Sequence, residues 1–399
     1  MRPSSKKHAA ETHILKDSIP LLSSRDDLLK GQRVHHDHLH EVVFMIQQRN
    51  MDGLTRILHD VSDPESENYG QHMTMKEVVE MTSNPEGRNI VLSYLQMNGA
   101  TMISETINGE YITATAPISV WERLFNTDFY TFHQTQTDGK IEAIIRAEDY
   151  SIPVELGPHV MHVLNTIDTP LITHSSKDGS HRVKKPTAKT EKSKFRLAGD
   201  WQAVSPRKIR IFYNMSNYQG SEKSTQAIYT TAEQNFSPKD LTRLQTEYSL
   251  KIQSAIPING HDNDTVCVVN HSQCGESNLD IQYIMATSQV SPSYHWYVPG
   301  DFTYFLILVA EMVNPPLVLS ISWGAYENLV SPGGHDAFTF QAIKLGVMGI
   351  TIFVASGDDG ANSGYARDNT AQCGYRPSWP ATNPYIVSVG ATSVSHYLQ

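Results

Sequence analysis

Glu276 and Asp280 stand four residues apart in the stretch Gly275-Glu276-Ser277-Asn278-Leu279-Asp280-Ile281-Gln282-Tyr283-Ile284-Met285-Ala286. No proline or glycine follows Gly275 there. Apolar side chains at Leu279, Ile281, Tyr283, Ile284, Met285 and Ala286 predict a largely buried helix. A spacing of four puts both carboxyl groups on one helix face. Two like charges so placed cost about 0.2–0.5 kcal/mol even in water, and burial raises carboxylate pKa values further. One acid near the positive N-terminal end of a helix is common, and Glu276 alone would answer that dipole. Asp280, one turn further in beside Tyr283 and Ile284, is not explained that way. Paired carboxyl groups in such a setting are candidates for general acid–base work.

Three further stretches stand out. Phe353-Val354-Ala355-Ser356-Gly357-Asp358-Asp359-Gly360 runs from an apolar strand into a turn, and Pro315-Pro316-Leu317-Val318-Leu319-Ser320-Ile321-Ser322-Trp323-Gly324 is a second apolar run. Arg376-Pro377-Ser378-Trp379-Pro380-Ala381 precedes Val389-Gly390-Ala391-Thr392. In this order and spacing the four segments resemble the sedolisin family of serine-carboxyl peptidases, and look closest to its tripeptidyl-peptidase branch. The resemblance covers about residues 35–398. It implies that Glu276 is the general base for a serine and that Asp280 supports Glu276. It gives Asp358 to the oxyanion hole and Ser322, Trp323 and Gly324 to the substrate. Taken alone, Ser356 to Gly360 is turn-rich, and a turn aspartate accounts for Asp358. Strand context and the resemblance together favour the catalytic role. Asp359 stands where the family often has serine, and its like charge would perturb Asp358.

The elements that must hold these side chains follow from pattern. Leu317–Ser322 and Gly349–Ala355 are apolar runs without alternation, as in buried parallel strands. Ala337–Leu345 reads as the crossover helix of a right-handed unit. Gly324 and Ser356 to Asp358 then fall at carboxyl ends of strands, where α/β sheets keep their sites. Gln226–Tyr229 reads as the first strand of this domain, and Ser237-Pro238 as a helix start. Val204 to Arg210 resembles the family's entry helix. Upstream, Glu41–Asn50 reads as a strand, and Thr74 with Glu77 forms a capping box. Helices are predicted at 88–97 and 118–125, and strands at 102–107, 111–116, 129–132 and 141–146. Leu58 to Thr74, with turn residues at Asp63-Pro64 and Tyr69-Gly70, resembles the family's activation segment. The expected fold class is α/β: a subtilisin-like parallel-sheet catalytic domain, C-terminally truncated, preceded by an α+β ferredoxin-like prodomain. The expected divisions are a loose tail at 1–34, the prodomain at 35–172, a basic linker at 173–200 and the partial catalytic domain at 201–399.

Composition fits a globular protein: of 399 residues, 39% are hydrophobic and 19% charged. A net charge of −10 argues against nucleic acid as a partner. No apolar run reaches the length of a membrane span; the longest is stopped by Glu311. Lys177, Arg182, Lys184, Lys185, Lys189, Lys192, Lys194 and Arg196 crowd a segment nearly devoid of apolar residues, which predicts an exposed linker. The N-terminus lacks the apolar core of a signal peptide. Yet Asn214, Asn235, Asn263 and Asn270 each open a glycosylation acceptor tripeptide, and the resemblance implies a secreted or lysosomal protein. Cys267 and Cys274 are close enough to close a small loop before Glu276; two buried thiols are the alternative. His35-His36-Asp37-His38-Leu39-His40 has the composition of a metal tract, or of a surface lead into the next strand.

The resemblance also implies what the quoted motifs lack. Its nucleophile lies in a late Gly-Thr-Ser motif, followed by calcium ligands, and both are expected beyond Gln399. No metal ligand is assigned within the chain. Ser393 in Gly390-Ala391-Thr392-Ser393 aligns with the preceding strand and is expected to be a decoy. The expected partners are peptide or protein substrates and the chain's own prodomain as intramolecular inhibitor. A non-catalytic protein of the same fold, binding peptides or proteases, is the alternative.

Overall fold

A computed structural model describes residues 13–18, 28–135, 141–168, 204–299, 301–360 and 374–391. The expected basic linker at 173–200 and Ser393 lie outside these residues. The chain divides into two units: 1–173 with 301–315 and 324–399, and 174–300 with 316–323.

In the first unit, strand Leu39–Ile46 lies at the centre of an antiparallel sheet. It pairs on one side with Tyr111–Pro117 and on the other with Val160–Leu164, and Thr101–Glu105 closes the Tyr111–Pro117 edge. Read in space the strands run fourth, first, third, second, the order of a ferredoxin-like βαββαβ sheet. Val42, Phe44 and Ile46 alternate into the core, where Phe44 meets Trp121 and Phe125 of helix Ile118–Phe125. Thr74 and Glu77 make the reciprocal capping box that opens helix Met75–Thr82. Helix Met51–Ser62, by contrast, was not expected from the sequence. Its Asn50 is left-handed without a side-chain cap, and Gly53 sits buried in its first turn, where a Cβ would strike Asn50 and Met81.

Within the tail expected at 1–34, the described residues form two paired strands. His13–Ser18 pairs with Asp149–Pro153, and Leu28–Arg33 pairs with Tyr130–Thr135. Leu28 is buried in the core, and Asp17 Oδ2 accepts the Gly333 N–H at 2.8 Å. Helices Phe302–Ala310 and Pro332–Val347 bring Ile307, Ala337 and Phe340 against Met45, Tyr111 and Leu164 of the antiparallel sheet. Lys344, fully buried on the second of these helices, donates to both carboxylate oxygens of Glu110 at 2.6 Å. Nearby, His162 lies between Asp168, at 3.1 Å, and Asp17, at 3.5 Å. The same unit holds the parallel pair Thr351–Ala355 and Val387–Val389.

The second unit contains four parallel strands in the order Ile256–Ile258, Ser293–Tyr297, Gln226–Thr230, Val318–Ile321. Every residue of Gln226–Thr230 is buried, as its central place in the order demands. Helices start where serine precedes proline: Ser205 caps Pro206–Phe212 and Ser237 caps Pro238–Glu247.

One buried side chain of this unit makes stability depend on pH. His295 has no exposed surface, neither ring nitrogen is hydrogen-bonded to another of the described residues, and its ring lies 4.6 Å from Phe236. Burial, helped by the nearby His261, holds its pKa at about 3. The unfolded imidazole titrates near about 6.5. The unfolded chain therefore takes up a proton that the folded chain refuses. Stability should fall as pH drops from about 6 towards 3, by up to about 1.4 kcal/mol per pH unit from this group. Urea unfolding at a series of pH values should show a shallower slope for His295→Phe than for the parent. Equal slopes would remove His295 as the cause.

Candidate active site

Helix Gly275–Thr287 carries both carboxyl groups. Three contacts fix its start. The Cys267–Cys274 disulfide closes the loop that leads into it. Ser277 Oγ and Thr230 Oγ, both buried, are 2.7 Å apart, which pins the first turn to the carboxyl end of the central strand. Asn278 Oδ1 accepts the Ser237 N–H at 2.8 Å. None of these serine, threonine and asparagine contacts had a signal in the local sequence, because each partner comes from another element. The expectation of a largely buried helix holds for one side only. Ser277, Ile281, Met285 and Ala286 are buried, whereas Leu279 is 53% exposed. Ile281 and Met285, one turn apart, pack with Ile228, Phe236 and Leu241, and that single stripe is enough to seat the helix.

Asp280 keeps some exposed surface, but its carboxyl group points inward. Burial first, then the negative charge of Glu276, pushes it well above the usual carboxylate range. The Ser322 hydroxyl donates to Asp280 Oδ1 at 2.9 Å and opposes the rise. Ser322 follows strand Val318–Ile321, so helix and strand end meet at these two side chains. Ser322, expected to line the substrate, also touches Asp280. Trp323 is 2% exposed, and its indole N–H has no hydrogen-bond partner among the described residues.

The remaining expected site residues belong to the first unit. Gly324 has no room for a side chain: a Cβ would come within 2.5 Å of Ser378 Oγ and 3.1 Å of the Trp379 carbonyl oxygen. Asp358 is exposed in the turn after Thr351–Ala355, between Gly357 and Gly360, both left-handed at φ 92° and 60°. Among the described residues, the cluster with metal-ligand spacing is His35, His36 and Asp37, all exposed. Two imidazoles and a carboxylate do not fit the all-oxygen shell of calcium.

Residues 26–169 match the family described as Pro-kumamolisin, activation domain. The chain is 28% identical over 389 residues to Physarolisin of Physarum polycephalum, covering 91% of this chain and 61% of that protein. It is 25% identical over 370 residues to Tripeptidyl-peptidase 1 of Macaca fascicularis, covering 88% of this chain and 61% of that protein. Residues 26–169 thus belong to the Pro-kumamolisin activation-domain family, and most of the chain is similar to these two peptidases. The chain spans about three-fifths of the length of these curated relatives. A solved Pseudomonas sedolisin, complexed with two molecules of pseudo-iodotyrostatin, aligns at 20% identity and a TM-score of 0.37, covering 48% of this chain and 55% of that one. No helix among the described residues is long and apolar enough to cross a membrane.

Proposed function

We propose that this chain is part of a serine-carboxyl peptidase precursor that removes N-terminal tripeptides at acid pH. The observation that carries the reading is the acid pair itself: Asp280 is held towards its neutral form by burial and by Glu276, on one helix face, with the Ser322 hydroxyl against it. In this reading Glu276 takes the proton of an attacking serine and returns it to the leaving amine. Neutral Asp280 donates its one O–H to Glu276 and keeps that carboxylate oriented. Asp358, while protonated, donates to the developing oxyanion. Ser322, Trp323 and Gly324 line the substrate. The catalytic domain would be subtilisin-like, spanning 201–399 and continuing further, with 35–172 as the prodomain that blocks it until removed and 173–200 as the linker. The serine and the calcium ligands would lie beyond Gln399, so residues 1–399 alone would be inactive. Passage through a secretory or lysosomal compartment is part of the same reading, and the Cys267–Cys274 disulfide supports it.

A tripeptide-amide substrate with a free or a blocked amino terminus tests this at acid pH. The protein that carries this chain together with a downstream Gly-Thr-Ser should turn over the free form faster, and residues 1–399 should be silent. Turnover by residues 1–399 that vanishes in Ser393→Ala would make Ser393 the nucleophile and sink the assignment.

A further inference from the structure

Four Asn-x-Ser/Thr tripeptides start at Asn214, Asn235, Asn263 and Asn270, and the fold separates them. Asn235 is 8% exposed and its Nδ2 donates to the Glu233 carbonyl oxygen at 2.9 Å, which leaves its amide no outlet. Asn263 is exposed, but its Oδ1 accepts the Thr265 and Val266 N–H groups as the cap of helix Asp264–Val269. Asn214 is exposed and shows no hydroxyl contact from its own tripeptide among the described residues.

Asn270 differs from all three. It is exposed at the crest of the loop closed by Cys267 and Cys274. The Ser272 hydroxyl donates to Asn270 Oδ1 at 2.7 Å, and Nδ2 has no partner among the described residues. A donor on the amide oxygen pulls electron density from the nitrogen and eases loss of its proton. Beside it, Val268 and Val269 are 73% and 80% exposed, two neighbouring apolar side chains open to water. The disulfide requires an oxidising compartment, and in eukaryotes N-glycans are added in one.

We propose that Asn270 is an N-glycosylation site whose sugar covers Val268 and Val269 at the entrance to the carboxylate helix. The co-reactant is a lipid-linked glycosyl diphosphate. A bond forms between Asn270 Nδ2 and the anomeric carbon, the bond from that carbon to the diphosphate oxygen breaks, and the amide proton leaves. The site does not depend on the peptidase chemistry.

Peptide mass spectrometry on the full chain, passed through the secretory pathway of eukaryotic cells, tests the site. The peptide with Asn270 should carry a glycan, and enzymatic release should convert Asn270 to aspartate. Ser272→Ala should lose the glycan, Ser272→Thr should keep it, and Asn235→Gln should leave the glycan count unchanged. Because Ser272 is exposed, both of its variants should fold. A protein with Cys267 and Cys274 bonded but Asn270 bare would overturn the proposal. So would one with neither the disulfide nor the glycan.

Discussion

Replacing Lys344 by methionine is expected to destabilise the chain by about 3–5 kcal/mol, because Glu110 would then keep a buried charge without its partner. The ammonium and both carboxylate oxygens are 2.6 Å apart, and their side chains are 0% and 5% exposed. Glu110→Gln should cost a similar amount by stranding the cation. The double variant Glu110→Leu/Lys344→Met should recover most of the loss, since replacing a buried ion pair by apolar groups is often neutral or stabilising. Urea unfolding of the parent, both single variants and the double variant gives the coupling directly. If the double variant loses as much as the two singles together, the pair does not behave as a buried unit.

Glu276→Gln, in the protein that includes the serine, is expected to lower kcat/KM by about 10²–10⁴-fold, the usual contribution of a positioned general base. Asp280→Asn should have a different signature. The raised pKa keeps the Asp280 proton on until pH climbs past the usual carboxylate range. Above that point both carboxyl groups are charged, and the pair repels itself. Asparagine stays neutral and still donates, so this variant should lose less activity than Glu276→Gln and should extend activity to higher pH. The same shift has a stability sign. The folded chain holds this proton more tightly than the unfolded chain, so this contribution is full below about pH 4 and is lost as pH rises through the folded value. A pH–rate profile of Asp280→Asn that matches the parent's would show that the Asp280 proton does not set the upper limb.

Much of this could be read from local pattern. The helix around Glu276 has apolar side chains at Leu279, Ile281 and Tyr283 to Ala286 with no proline or glycine after Gly275, the Thr74 capping box is a short-range signal, and serine before proline marks helix starts. What escaped is what distance in sequence hides. The pairing of His13–Ser18 rests on a partner strand at Asp149–Pro153, and the strand itself shows little alternation. Helix Met51–Ser62 was masked by a glycine that its packing requires. The Ser322–Asp280 contact joins a strand end to a helix, and neither segment reveals the other.

The Lys344–Glu110 pair reaches beyond stability. Glu110 lies inside the segment that matches the activation domain, and Lys344 lies outside it. Buried together, each charge vouches for the other. The pair thus ties a residue of the matching segment to one outside it, and a neutral residue at position 110 would leave the Lys344 cation buried without its partner.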